Sequence, residues 1–167
     1  MSRQAEEVWP GQRRRFIVQI SRHEYCDGKR EAVLDDFTVY VYSPEMIAIE
    51  KIRAICQQMR EYGPGRAHPA PRARDFYDIY CILKEREVVL HSPENLDLFR
   101  AIFTAKDVPL SLIQKIPEYR DFHRTDWPSV PPTVSEDLLP FDFYFDHLVT
   151  ATRQLKPFGW NRRHRAS

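Results

Sequence analysis

Residues 41–60 read VYSPEMIAIEKIRAICQQMR, and this stretch spells out a helix from its first turn onward. Ser43 is a good N-cap, and Pro44 suits the first helical position, where its missing N–H would have no intrahelical acceptor anyway. Glu45 complements the positive end of the helix. The pattern predicts a helix from Pro44 to about Arg60, where a basic last turn meets Tyr62-Gly63-Pro64. On a wheel of roughly 100° per residue, Lys51 falls among Ile47, Ala48, Ala54 and Ile55. The same broad apolar arc takes Ile49, Ile52, Cys56 and Met59, while Glu50, Arg53, Gln57 and Arg60 occupy the wetter side. A lysine inside an apolar arc either snorkels to water, has a structural partner, or meets a ligand, because an unpaired buried ammonium is expensive.

The next helix offers the partners. Residues 61–73, EYGPGRAHPAPRA, carry too many prolines to continue a helix. A second helix is predicted to begin near Arg74 or Asp75 and to continue through FYDIYCILKERE, with an apolar arc of Phe76, Ile79, Tyr80, Ile82 and Leu83. Asp75 and Asp78 are three apart at its start and share a face. Taken singly, Asp75 reads as a cap and Asp78 as a first-turn charge. Taken together, they read as partners of Lys51 across an antiparallel helix pair, a polar seam that offers a cation to phosphate and a carboxylate to a base or metal role. Arg60, Arg66, Arg72 and Arg74, with Arg13–Arg15 and Arg162, Arg163 and Arg165, form either one phosphate-facing surface or a set of solvated loops and termini.

Upstream, FIVQI (Phe16–Ile20) is a strand candidate, and a second β-type run passes through Leu34, Phe37, Val39 and Val41. The expectation is that these two runs pair, with SRHEYCDGKREA as their loop and Asp27-Gly28 as a polar turn within it. Downstream, SPENLDLFRAIF has a Ser cap and a proline opening a helix, and a shorter helix covers Leu110–Ile116. Residues 117–140 are punctuated by prolines and read as an extended wrap, followed by a last helix in PFDFYFDHLVTATRQL. The fold class is therefore α+β, a short antiparallel sheet followed by a mainly helical body. The organisation is a basic lead-in over 1–15, one domain over 16–155, and a basic tail over 156–167.

Composition narrows the function classes. The 167 residues hold 25 Lys+Arg and 24 Asp+Glu, so any basic surface is local rather than global. A hydrophobic content of 43% with 13% aromatics argues against a wholly disordered chain. No run of 18 apolar residues exists, and the N-terminus lacks a signal-peptide stretch, which points to a cytoplasmic protein without a membrane partner. Cys26, Cys56 and Cys81 have no metal-type spacing, and His23-Glu24 with Cys26 does not make a zinc helix, so no metal site is expected from this chain's residues. Asp137, Asp142 and Asp146 either share part of a helix face or are simply solvated. There is no Walker loop, dinucleotide-binding turn or serine elbow.

The two helix stretches together resemble the nucleotidyltransferase toxins of the AbiEii/AbiGii type, found in abortive-infection and toxin–antitoxin systems. Those proteins enter a helix through a tyrosine and short polar residues, place a lysine at its centre, and start a later helix with Arg-Asp-aromatic-Tyr-Asp after an arginine-bearing loop. The matching residues here are Tyr42, Lys51, Arg60, Arg74, Asp75, Tyr77 and Asp78, and FIVQISRHE resembles the family's strand and its polar sequel. The resemblance covers roughly residues 14–86. It implies the C-terminal part of a polymerase-β-like nucleotidyltransferase, with NTP and Mg²⁺ as ligands and tRNA or another RNA as an acceptor. It further implies that Lys51 contacts nucleotide phosphates and that at least one of Asp75 and Asp78 is catalytic or site-organising. Beside them Arg74 is the expected second phosphate contact, and Arg60, Arg66 and Arg72 of the basic loop are the candidate contacts for RNA or phosphate.

Two departures qualify that expectation. The family's glycine-serine or glycine-glycine turn with its acidic pair has no counterpart here, since Gly11, Gly28, Gly63, Gly65 and Gly159 all lie in other contexts. Gln19 stands where a strand acid is expected, and an amide is a poor metal ligand. Phosphoryl transfer needs metal ions or cations to neutralise developing charge. The expectation is thus a toxin-like protein that is incomplete or catalytically degenerate alone, or whose missing acids come from an upstream-encoded catalytic half. The competing expectation is a non-enzymatic module that binds RNA, a cognate antitoxin or a second copy of itself.

Overall fold

The computed structural model describes residues 24–63 and 69–158. The lead-in over 1–15, the Phe16–Ile20 strand with Gln19, Arg66, and the arginines of the C-terminal tail all lie outside the described residues.

Two strands, β1 (Arg30–Leu34) and β2 (Phe37–Val41), form an antiparallel hairpin in which Arg30 faces Val41 and Leu34 faces Phe37. The β-type run read through Leu34 to Val41 is therefore not one strand. It is folded back at Asp35 and Asp36, which take φ of 47° and 66°. Two successive left-handed residues are what a tight turn matched to strand twist requires, and Asp tolerates that region better than most residues. Directly opposed residues share a face, so Arg30, Ala32, Leu34, Phe37, Val39 and Val41 fall on one side of the hairpin.

Ser43 then caps α1 (Pro44–Cys56), its Oγ accepting the Met46 N–H at 3.3 Å. The helix stops short of Arg60 because the chain tightens to i→i−3 bonds, from Gln58 N–H to Ile55 O and from Met59 N–H to Cys56 O. A 3₁₀ turn over Arg60–Tyr62 follows and ends at Gly63, whose φ of 148° is open to glycine but strained for other residues. α2 (Ala73–Glu85), α3 (Pro93–Ala105), α4 (Arg120–Arg124) and α5 (Phe141–Thr152) complete the helices. The expected short helix at Leu110 is a 3₁₀ segment running to Tyr119, and the proline-rich stretch after it holds α4 and short 3₁₀ turns rather than an extended wrap. The α+β class is as expected.

α1 is the hub, packed by α2, α3 and the 3₁₀ segment at once. Being covered on several sides, it buries Met46, Ala48, Ile49, Ile52, Ile55 and Cys56, and it also buries Arg53 and Gln57, which the wheel had put on the wet side. Arg53 is accommodated because it donates from Nε to Glu50 at 2.7 Å and also binds Gln57. Conversely, Ile47 is exposed. α2 meets α5 through aromatic rings, with Phe76 stacked on Phe145 and edge-on to Phe141 at centroid distances of 5.1 and 5.4 Å. Among the described residues no helix is long and apolar enough to cross a membrane.

Candidate functional site

The seam between α1 and α2 places Lys51 against both aspartates. Lys51 lies midway along α1, at the border between its buried core face and solvent, with 25% of its side chain exposed. α2 begins with Arg72 as N-cap residue, so Asp75 is the third helical residue, not a cap, and its carboxylate is turned sideways to α1. Lys51 Nζ donates to Asp75 Oδ1 at 2.9 Å and to Asp78 Oδ2 at 2.8 Å. The remaining oxygens are taken by guanidinium groups. Arg72 Nε donates to Asp75 Oδ2, and Arg74 Nε donates to Asp78 Oδ1 at 2.7 Å.

The result is a linear array, Arg72–Asp75–Lys51–Asp78–Arg74, of three cations and two anions. Its middle is protected, with Asp75 only 7% exposed, whereas Arg72 and Arg74 are 38% and 43% exposed at its ends. Burial alone would depress the Lys51 ammonium, but its hydrogen bonds to Asp78 and Asp75 outweigh that effect and hold its pKa above the usual lysine range. Lys51 is therefore charged at neutral pH. Arg74 is steadied from two further sides, by Nη1 donating to Thr133 Oγ1 at 2.5 Å and by the Tyr77 ring 5.2 Å from its guanidinium carbon. Tyr77 in turn donates its hydroxyl proton to Glu136, and that bond pushes its pKa up.

Five of the residues singled out in the sequence thus meet in one place: Lys51, Arg72, Arg74, Asp75 and Asp78. Arg60 does not join them. It belongs to the 3₁₀ turn after α1, where its backbone N–H donates to the Tyr119 hydroxyl at 3.0 Å. Arg72 and Arg74 are anchored to carboxylates rather than standing as free members of a broad basic surface. Asp142 and Asp146 are likewise engaged, Asp142 by Arg120 and Arg124 and Asp146 by Arg120.

The donor set does not fit a divalent cation. All four carboxylate oxygens of Asp75 and Asp78 face an ammonium or a guanidinium, and a metal would have to displace those cations to bind. Among the described residues no group of three or more His, Cys, Asp or Glu side chains is placed to hold a metal ion.

His123 of α4 escaped the sequence reading. It is fully buried, its Nδ1 accepts the Arg72 N–H at 3.1 Å, and its Nε2 has no partner among the described residues. Desolvation dominates its titration and depresses its pKa to about 4, so the ring is neutral at pH 7. No local signal marks it, because RDFHR carries no periodicity and follows a proline-interrupted 3₁₀ segment. Thr133 and Glu136 went unnoticed for the same reason.

Residues 5–147 match the model of a family described as nucleotidyl transferase AbiEii toxin, Type IV TA system. No curated protein and no solved structure matches the chain. The matched span takes in the whole five-residue array and extends past residue 86, through α3, α4 and most of α5, beyond the stretch over which the sequence itself resembles such toxins. The family description places its members in toxin–antitoxin systems, so a cognate antitoxin is the implied partner. With its matched span covering most of its length, the chain belongs to the nucleotidyl transferase AbiEii toxin family.

Proposed function

We propose that this chain handles the nucleotide and the acceptor in a nucleotidyltransferase toxin of the abortive-infection type, acting in the cytoplasm in defence against phage. The observation that carries the reading is a single ammonium, Lys51, shared between two carboxylates and flanked by two half-exposed guanidinium groups. Such a lysine is partly desolvated and already aimed. An NTP triphosphate arriving at Arg74 competes for Lys51, and drawing Lys51 onto phosphate frees an oxygen of Asp75 or Asp78. That oxygen accepts the proton of the acceptor hydroxyl while its oxygen attacks the α-phosphorus, the bond to the β-phosphate breaks, and pyrophosphate leaves. The acceptor is tRNA, another RNA or a protein hydroxyl, with Arg72 positioned for an RNA phosphate and Arg60 and Arg66 as more distant contacts.

The carboxylates that hold Mg²⁺ in this scheme lie outside the array. Gln19 and the missing glycine-acid motif make residues 1–167 catalytically incomplete or degenerate by themselves. The full reaction is expected when a second polypeptide supplies those acids. The test is label transfer from each radiolabelled NTP to total tRNA or protein with Mg²⁺ or Mn²⁺, alongside Lys51→Ala. Lysine-dependent labelling by the chain alone would refute the incompleteness, and nucleotide binding that is indifferent to Lys51→Ala would refute the site.

The hairpin supports a second reading. Leu34 and Phe37 are 63% and 74% exposed at the turn end of one face of the hairpin, which suits a non-enzymatic module that self-associates or docks a protein. Monomeric behaviour at all concentrations, with Leu34→Lys and Phe37→Lys unchanged from wild type in sedimentation, would sink self-association.

A further inference from the structure

We infer that His123 is a positioning residue for the Lys51–Asp75–Asp78 array, acting through the backbone N–H of Arg72 to fix where the first turn of α2 presents Asp75. The inference rests on the array being the nucleotide site only for its effect on ligand binding, not for its structural content.

Arg72 is the pivot. Its N–H donates to His123 Nδ1, its carbonyl accepts the Asp75 N–H at 3.1 Å, and its side chain binds the Asp75 carboxylate. α2 has no side-chain cap at its N-terminus, in contrast to α1 and α3, which Ser43 and Ser92 cap. The imidazole supplies the missing restraint from another element. It packs against Phe76 of α2 and against its own neighbour Phe122, with ring centroids 5.1 and 5.0 Å away, so α4 meets the start of α2 through a ring contact as well as through the bond to Arg72. Because Nδ1 accepts, the ring proton sits on Nε2, which points into a site with no acceptor among the described residues. Among the described residues, the Arg72 N–H is thus the one hydrogen-bond partner of this buried ring. The charged groups that bear on the ring are Asp75 and Arg72 of α2 and Asp126 just after α4. A second proton on the ring would turn Nδ1 from acceptor to donor against the Arg72 N–H and release the turn.

The test separates the acceptor from the bulk. His123→Asn places an amide oxygen where Nδ1 stands, His123→Gln places one at the Nε2 end, and His123→Phe keeps a ring without an acceptor. Acetic anhydride labelling of the full chain, read by mass spectrometry, reports how tightly Lys51 is held, with exposed Lys84 as internal reference. The expected result is Lys51 labelling raised about fivefold in His123→Phe and His123→Gln and returned to wild type in His123→Asn. ATP binding should weaken roughly tenfold in the same two variants and recover in His123→Asn. A packing role predicts the reverse order, since Gln fills the site better than Asn. Rescue by Gln equal to or better than Asn would overturn the inference, as would Lys51 labelling unchanged in all three variants. If His123→Phe fails to fold, the Asn–Gln contrast decides alone. If the wild-type chain binds no nucleotide while that contrast holds in the labelling, the proposed function fails and the positioning role stands.

Discussion

The Lys51 ammonium lies 2.9 Å from Asp75, a carboxylate whose side chain is 7% exposed, so the pair spans the transition from core to solvent at the α1–α2 seam. That position explains why the lysine could sit in an apolar arc of α1 at all. Its head leaves the core through a carboxylate pair instead of through water. The same arrangement keeps the cation poised for exchange, because Lys51 is itself a quarter exposed and the ends of the array are the more exposed Arg72 and Arg74.

Removing Asp75 should therefore hurt more than removing Asp78. Asp75→Ala removes the most buried carboxylate of the array, at 7% exposure, leaving Lys51 on Asp78 alone, and is expected to destabilise the chain by about 2–3 kcal/mol. Asp78 is 23% exposed and its partner Arg74 reaches solvent, so Asp78→Ala should cost only about 1 kcal/mol. Urea unfolding with an unchanged m-value measures both. Equal losses would contradict the burial gradient along the array.

Acid should weaken the fold well above the range in which carboxylates protonate. His123 titrates near 4 in the folded chain against an ordinary value of 6.5. For a base whose folded pKa is depressed, the unfolded state binds more protons between those values, so stability rises with pH across that window. It is lost as pH falls from about 6.5 to about 4, by on the order of 3 kcal/mol, and levels off below. Glu61, drawn down to about 2 by Lys115 and Tyr119, adds a separate loss that begins only below its ordinary value of 4.5. Measuring urea midpoints from pH 7 to 4 should show a slope that His123→Asn abolishes. A flat profile for wild type over that range would mean that the ring is not buried neutral.

Much of this architecture is local and was readable as such. Ser43, Pro44 and Glu45 announce α1 without reference to anything distant, and the three-residue spacing of Asp75 and Asp78 puts both on one face of α2. What stayed hidden depends on tertiary context. The end of α1 at Cys56 reflects a tightening of the last turn that no residue type marks, since Gln57, Gln58 and Met59 all suit a helix. Arg53 is buried because α1 is enclosed on several sides, whereas a wheel assumes one core face. The hairpin turn is Asp35-Asp36 and lacks the glycine that usually signals such a turn. His123 matters through a bond to Arg72 that only the folded chain brings within reach.

The aromatic contact between α2 and α5 should be the most sensitive point of the core. Phe76 is fully buried and touches His123, Phe141 and Phe145 with ring centroids 5.1, 5.4 and 5.1 Å away. Phe76→Ala would leave a cavity facing three rings that are held on two different helices, so collapse is restricted. A loss of about 3–5 kcal/mol is expected, against about 1 kcal/mol or less for Phe143→Ala, whose ring is 41% exposed. Thermal or urea denaturation of the two variants settles the comparison.

The hairpin turn offers a gain instead of a loss. Asp36 is held at φ 66°, a left-handed conformation that disfavours a side chain, and Asp35 at 47° shares the strain. Asp36→Gly removes the Cβ from the second turn position and converts the turn to Asp-Gly, a preferred pair for a two-residue hairpin. The bond ladder from Arg30–Val41 to Leu34–Phe37 would be retained, because the register is set by the turn length and that is unchanged. Stability of the hairpin should rise by about 0.5–1 kcal/mol after the added flexibility of glycine in the unfolded chain is offset. Amide exchange of Ala32, Leu34, Phe37 and Val39, the pairs whose N–H groups face the partner strand, measures this directly, and is expected to slow by roughly two- to fivefold, the rate equivalent of that free energy. Unchanged or faster exchange in Asp36→Gly would show that the left-handed aspartate carries no strain to relieve.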